Sequence, residues 1–327
     1  MNNPNSTDGL IFAYILDGKG GGQVIDWAGL EKWAPDQGIL WIHLDYTKPK
    51  VQKWLAAESG LNELSIDILK EQDTRPRMLN SAEGLFLILR GVNCNPGADP
   101  EDMVSLRMHF TARRIITMRQ RSIMAIDDTR KAIDTGQGPA DPADFLVMVA
   151  DRIADRMFDV ISDIDDQVDV LEDSVLTVES AELRPQLAQS RRQCTSLRRY
   201  IAPQRDVLTK LLNEKITLLD DPARLQIREI AERTARFVED IDSARDRAAI
   251  TLEELDHHLS EQTNRAMYLL AIVTAIFLPL SLLTGLLGIN VGGIPGADNP
   301  LAFIIVSVIL LAIAACLIWL FRHIRWL

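Results

Sequence analysis

The sequence predicts an α+β/α membrane protein: an N-terminal α/β domain, a long helical hairpin and stalk helix, and two C-terminal transmembrane helices. Three observations predict it. Ala266–Leu287 and Leu301–Phe321 contain no charged residue, and a helical span of a bilayer needs about 20 apolar residues. No proline intervenes between Pro222 and Pro279, and the first glycine after Pro222 is Gly285. One helix of roughly 100 Å therefore enters the first span without a break. Before that helix, residues 10–120 alternate short β-rich runs with helical ones.

Taken in order, the strand candidates are Leu10–Leu16, Ile39–Leu44, Gly84–Gly91, Met103–Phe110 and Arg114–Met118, each a short run rich in branched and aromatic residues. Helix candidates cover Asp26–Trp33, Lys50–Ser59 and Glu63–Lys70. Gly18–Gly22 reads GKGGG, but Gln23 and Val24 follow where a phosphate loop needs Lys-Ser or Lys-Thr, so it is a turn. His43 and His109 stand singly in strand-like runs and read as structural histidines. After GQGPADPAD (Gly136–Asp144) the chain turns helical.

Ala143–Val178 reads as one helix with nine acidic residues between Asp151 and Asp173. Asp151, Asp155, Asp159 and Asp163 recur at four-residue intervals and share a face. Two readings fit them, a solvated face or a cation-gathering surface. Arg191, Arg192, Arg198 and Arg199 on the following helix, Ala181–Asn213, are expected to pair with these acids across an antiparallel hairpin. Pro222 suits the first turn of the next helix.

On that helix Ile227, Ile230, Phe237, Ile241, Ala244, Ala248, Leu252, Leu255 and Leu259 repeat at threes and fours, the spacing of a packing seam. Asp246, Glu253, His257, Ser260 and Asn264 form a second, polar stripe, which continues into the span through Met267, Thr274, Leu278 and Ser281. Two readings fit here as well. The stripe lines a pore built by several copies around an axis, or its hydroxyls bond to their own helix backbone. His257 and His258 are neighbours in sequence and point about 100° apart, so they cannot chelate one ion from one helix.

The 46 acidic against 35 basic residues, a net charge of −11, argue against a nucleic-acid partner and suit a protein that gathers cations. Cys94, Cys194 and Cys316 lie far apart and form no CxxC, which excludes a disulfide framework and a thiolate metal site. No cluster has tetrahedral zinc spacing, and His, Cys and Ser form no catalytic grouping, so no enzyme and no tightly bound cofactor are expected. Arg265 precedes the first span, Arg322, His323 and Arg325 follow the second, and the connecting loop holds no Lys or Arg. Both termini are therefore expected in the cytoplasm. The expected divisions are a cytoplasmic α/β domain (1–140), helical hairpin (141–221), stalk (222–264), first span (265–290), periplasmic loop (291–300), second span (301–321) and cytoplasmic C-terminus (322–327).

Gly288-Ile289-Asn290 at the end of an apolar helix, followed by a short loop, a second span and a basic end, resembles the CorA-type divalent metal transporters. The family hallmark at this position is Gly-Met-Asn, and Ile289 departs from it. The longer string TGLLGINVGGIPG (Thr284–Gly296), with TRPR at Thr74–Arg77 and YIAPQRD at Tyr200–Asp206, is similar to the zinc-transporting branch of that family. The resemblance implies a homopentameric funnel in the inner membrane that carries Zn2+, with proton-coupled uptake. Gly288, Ile289 and Asn290 form its outer-mouth metal motif. Asn264, Met267, Leu270, Thr274, Leu278 and Ser281 line the pore. The stalk residues Asp246, Glu253 and His257 attract cations. A Mg2+ or Co2+ channel and a zinc efflux system share the same frame. A membrane-anchored signalling protein with a coiled stalk is the alternative of another class.

Overall fold

A computed structural model describes residues 8–71, 75–175, 180–289 and 299–323. The strands are β1 (Leu10–Leu16), β2 (Gly22–Ile25), β3 (Ile39–Asp45), β4 (Arg77–Ser81), β5 (Gly84–Gly91), β6 (Val104–Phe110) and β7 (Arg114–Arg119). They form one sheet in the order β2-β1-β3-β7-β6-β5-β4. Only β3 and β7 pair in parallel; the other neighbours are antiparallel. The helices are α1 (Trp27–Lys32), α2 (Pro49–Ala57), α3 (Glu63–Lys70), α4 (Met124–Asp134), α5 (Pro142–Asp173), α6 (Ser180–Asn213), α7 (Asp221–Gly288) and α8 (Ala302–His323).

The sheet is covered on both faces, which is why its central strands read as nearly continuous apolar runs rather than alternating ones. Val51, Trp54 and Leu55 of α2 and Ile66 and Leu69 of α3 form one core with Leu40, Ile42 and Leu44 of β3 and Ile116 and Met118 of β7. On the other face Phe145 of α5 meets Trp41 edge-on at 4.9 Å and Phe110 at 6.1 Å. Three elements lie outside the sequence expectation. β2 and β4 are the edge strands, short and largely exposed, so their residues carry little of the apolar pattern that marks a strand. α4 buries Ala125, Ile126, Thr129, Ala132 and Ile133 at helical spacing.

Asp141 caps α5 by accepting from the backbone N–H groups of Ala143 (2.8 Å) and Asp144 (2.9 Å), with Pro142 at the first helical position. The helix ends at Asp173, five residues before the expected Val178; residues 176–179 lie outside the described set. Asp220 caps α7 in the same way, accepting from Ala223 N–H at 2.9 Å. The seam expected on α7 is buried at Ile227, Ile230, Phe237, Ile241, Ala244, Ala248 and Leu255. The chain divides into two units, Met1–Leu252 and Glu253–Leu327, and α7 contributes to both.

Both histidines of the sheet are structural. The Thr117 hydroxyl donates its one proton to the Ile42 carbonyl (3.1 Å). Trp41 Nε1 (2.9 Å) and His43 Nδ1 (2.8 Å) must therefore both donate to Thr117 Oγ1, and His43 is neutral with its proton on Nδ1. Burial, aided by the Arg119 charge, holds the His43 pKa well below the ordinary value. His109 Nε2 donates to the Glu83 carbonyl at 3.1 Å, and burial, then the Arg114 charge, lowers its pKa to about 4. Between that value and the unfolded pKa of about 6.5, the unfolded chain binds a proton that the native chain refuses. The stability is thus fully present above pH about 6.5 and, for His109, falls by about 1.4 kcal/mol per pH unit as the solution is acidified toward pH about 4; His43 acts in the same direction. Denaturant unfolding of the full chain in detergent at pH 7, 6, 5 and 4, followed by tryptophan fluorescence, is expected to show this loss. His109→Gln is expected to flatten it; an equal slope in that variant excludes His109 as a source.

Candidate ion pathway

The apolar part of α7 has two unlike sides. Ile272 is buried, and Ala275, Ile276, Pro279, Leu280 and Leu283 are partly covered. At about 100° per residue these positions fall on one face of the helix. Asn264, Met267, Leu270, Thr274, Leu278 and Ser281 lie within an arc of about 120° that is centred on the opposite side. All six are exposed, with Met267, Leu270 and Leu278 showing 56%, 67% and 69% of their surface. Residues 302, 306, 310, 313, 317 and 321 are partly covered along one face of α8. The stripe read from spacing is therefore the uncovered side of α7 within a single chain.

The Thr274 hydroxyl donates to the Leu270 carbonyl at 2.8 Å, and Thr284 donates to the carbonyls of Leu280 (3.0 Å) and Ser281 (3.1 Å). Backbone bonding, one of the two readings of these hydroxyls, is present. It does not remove Thr274 from a pathway, because once the proton is committed inward the oxygen offers only acceptor lone pairs outward. Such an oxygen suits a cation or the hydrogens of its hydration water. Gly288 ends α7 and Ile289 follows it, half exposed. A methyl group added at Gly288 meets nothing within 4 Å among the described residues, so packing against those residues does not require glycine there. Asn290 lies outside the described residues.

Of the three stalk residues, Asp246 is not a bare charge. Its carboxylate accepts from Arg245 Nε (3.1 Å) and Nη2 (2.9 Å), and this bond is the main cause that raises the Arg245 pKa. His257 Nε2 lies 3.5 Å from Glu261 Oε1, one turn away. Glu253 is exposed and has no ion-pair partner among the described residues. Among the described residues no group of three or more His, Cys, Asp and Glu side chains is placed to hold a metal ion.

The acidic face of α5 requires a correction. The ion-pair partners of Asp151, Asp155, Asp165, Asp169 and Glu172 come from α7 rather than from the basic run of α6. Arg233 bonds Asp151 at 2.7 Å and Asp155 at 2.5 Å. Arg247 bonds Asp165 and Asp169, with Glu172 at 3.5 Å. On α6, Arg198 turns instead to Asp242 of α7 at 2.6 Å. The reason is geometric: the same 82 residues separate Asp151 from Arg233 and Asp165 from Arg247, so α5 and α7 run parallel in matched register. Each arginine spans an acidic pair one turn apart, the fork-and-carboxylate geometry that makes arginine bonds strong. These clamps are the residues that sequence reasoning missed, and the equal spacing of the acids and arginines was their visible signal.

A sheet domain, two long helices and then one 68-residue helix that ends as the first of two apolar C-terminal helices define a class: a two-span membrane protein whose large N-terminal part is joined to its spans by a single helix. The family model described as CorA-like Mg2+ transporter protein matches residues 36–323, and the chain belongs to that family. Members of the family are transporters, not enzymes. The chain is 41% identical over 323 residues to the divalent cation transporter CmaX of Pseudomonas aeruginosa, covering 98% of this chain and 97% of that protein. It is 34% identical over 317 residues to the zinc transport protein ZntB of Yersinia enterocolitica, covering 97% and 96%. The structure of full-length CmaX matches with a TM-score of 0.85 at 39% identity, over 99% of this chain and all of that one. The CorA magnesium transporter of Methanocaldococcus jannaschii shares the fold, with a TM-score of 0.81 at 18% identity over 96% and 98%. The resemblance carried by Gly288-Ile289 and its neighbours thus holds at the level of the family.

Proposed function

We propose that this protein transports divalent cations, with Zn2+ as the transported ion and uptake coupled to protons, through a homopentamer in the inner membrane. The observation that carries the reading is the uncovered polar and apolar stripe of α7. In a membrane, a helix side bearing Asn264, Thr274 and Ser281 needs either a protein partner or water. Five copies turned toward a common axis place that side on a water-filled path. Membership of a transporter family and full-length similarity to CmaX and ZntB support the same reading. In this assembly Asn290, behind Gly288 and Ile289, forms the outer ring; Leu270, Met267 and Leu278 form apolar constrictions; and both termini face the cytoplasm. The hairpin 141–221 and stalk 222–264 connect the domain 1–140 to spans 265–290 and 301–321. Both apolar spans lack Asp and Glu, so the titrating groups of a proton-coupled cycle belong to the stalk or the outer loop.

The reading is tested by uptake into proteoliposomes, Zn2+ against Mg2+, with and without an inward proton gradient. Zinc flux that rises with the gradient is the expected result. Magnesium flux indifferent to protons replaces it with a magnesium channel of the same family. For the stalk, Asp246→Asn combined with Glu253→Gln is expected to lower flux several-fold at low ionic strength and little at about 0.5 M salt, where screening is short-ranged. Glu253→Gln alone should carry most of that effect, because Asp246 shares its charge with Arg245. A double variant with normal flux at low salt makes the stripe an ordinary solvated face.

A further inference from the structure

The soluble unit holds a cavity of about 420 Å³ at the end of the sheet, away from every residue assigned to the ion pathway. Four arginines line it: Arg90 of β5, Arg107 of β6, Arg121 beyond β7 and Arg199 of α6. Among the described residues two carboxylates, Glu101 and Asp102, line it with them. This is a concentration of positive charge in a chain whose net charge is −11.

Arg107 is 1% exposed. Its Nη2 donates to the Glu71 carbonyl, its guanidinium lies 4.1 Å above the Tyr46 ring, and its Nε and Nη1 have no hydrogen-bond partner among the described residues. Arg90 is buried beside it, donating to the Met103 carbonyl at 2.8 Å and stacked 4.0 Å above Tyr200. Burial depresses the Arg107 pKa; Tyr46 opposes that shift, and the Arg90 charge adds to it. Arg121 and Arg199 are exposed at the rim, and neither they nor Arg107 has a carboxylate within ion-pair distance among the described residues. A buried guanidinium without a counter-charge is costly to the fold. Two further guanidiniums, hydrated at the rim, line the same hollow and are free to meet an anion there.

We propose that this cavity binds a small soluble anion bearing phosphoryl groups. Arginine forks match the oxygens of a phosphoryl group two at a time. A single carboxylate neutralises one of these charges, whereas a pyrophosphate-like group neutralises several. The volume falls within the range of roughly 300–1,000 Å³ typical of small-molecule sites. The buried pair, Arg90 and Arg107, sets the potential of the pocket, and Arg121 and Arg199 supply the direct donors.

The test is calorimetric titration of the full chain in detergent with inorganic pyrophosphate at fixed ionic strength. EDTA is present throughout, because pyrophosphate chelates divalent cations. Saturable binding is expected, at least tenfold tighter than that of sulfate and weakened at least tenfold by Arg121→Gln and by Arg199→Gln. Both residues are exposed, so the variants keep the fold, which circular dichroism checks. Absence of saturable heat, equal affinity for sulfate, or unchanged affinity in both variants overturns the proposal. So does binding to phosphatidylglycerol nanodiscs that Arg121→Gln weakens while pyrophosphate fails to bind, since the ligand is then a lipid headgroup.

Discussion

Asn290→Ala is expected to lower cation flux at least about a hundredfold while leaving the oligomer intact. In the proposed pentamer five Asn290 carbonyl oxygens face the outer mouth. They accept hydrogen bonds from the hydration shell of a dication without stripping it, which matters for ions that hold water tightly. Each such bond contributes about 1 kcal/mol, and a hundredfold loss corresponds to about 2.7 kcal/mol, so losing the whole ring exceeds that threshold even if the terms add poorly. The neighbouring Gly288 gives a useful contrast. Because an added methyl meets nothing among the described residues, any loss of flux in Gly288→Ala reports crowding between copies or at the loop, not a damaged helix. Flux is measured in proteoliposomes and assembly by the mass of the purified complex. An Asn290→Ala protein that assembles and transports normally removes the residue from the outer mouth.

Much of this architecture is legible in the amino acids because its parts carry strong local signals. The bounds of β1 and β5 follow from apolar runs closed by glycine or polar residues. The starts of α5 and α7 follow from an aspartate and a proline placed where the first turn needs a cap and a residue without an N–H. The seam of α7 follows from its spacing. What stays hidden depends on non-local neighbours. β2 and β4 are held by one partner strand each and expose most of their residues, so no pattern announces them. The acids of α5 pointed to the arginines nearest in sequence, whereas parallel packing brings Arg233 and Arg247 from 78 to 82 residues away. In the pathway, spacing identifies a stripe on α7. The fold adds that Ile272 is buried and its neighbours partly covered on the opposite side.

That opposition of faces yields the second large expected effect. Leu278→Ser, and separately Leu270→Ser, is expected to raise zinc leak at least about tenfold in the absence of any proton gradient. Both leucines stand on the uncovered stripe and are among the most exposed side chains of the span, at 69% and 67%. In the proposed pentamer each forms a ring of apolar surface that expels water, and a hydrated dication cannot pass a dewetted constriction. Fully hydrating a leucine side chain costs about 1.5–3 kcal/mol, so a ring of five holds water out by several times the roughly 1.4 kcal/mol that separates a tenfold change in rate. Serine removes most of that surface and adds a hydroxyl that water can use. Leu283→Ser serves as the control: it makes the same chemical change on the partly covered face and should leave the leak unaltered. A membrane-anchored stalk without a pore predicts no leak from any of the three. Leak from Leu283→Ser alone would turn the helix the other way and place the path on the covered side. Leak from Leu278→Ser and Leu270→Ser, with none from the control, is the pattern that only a pore lined by the exposed stripe produces.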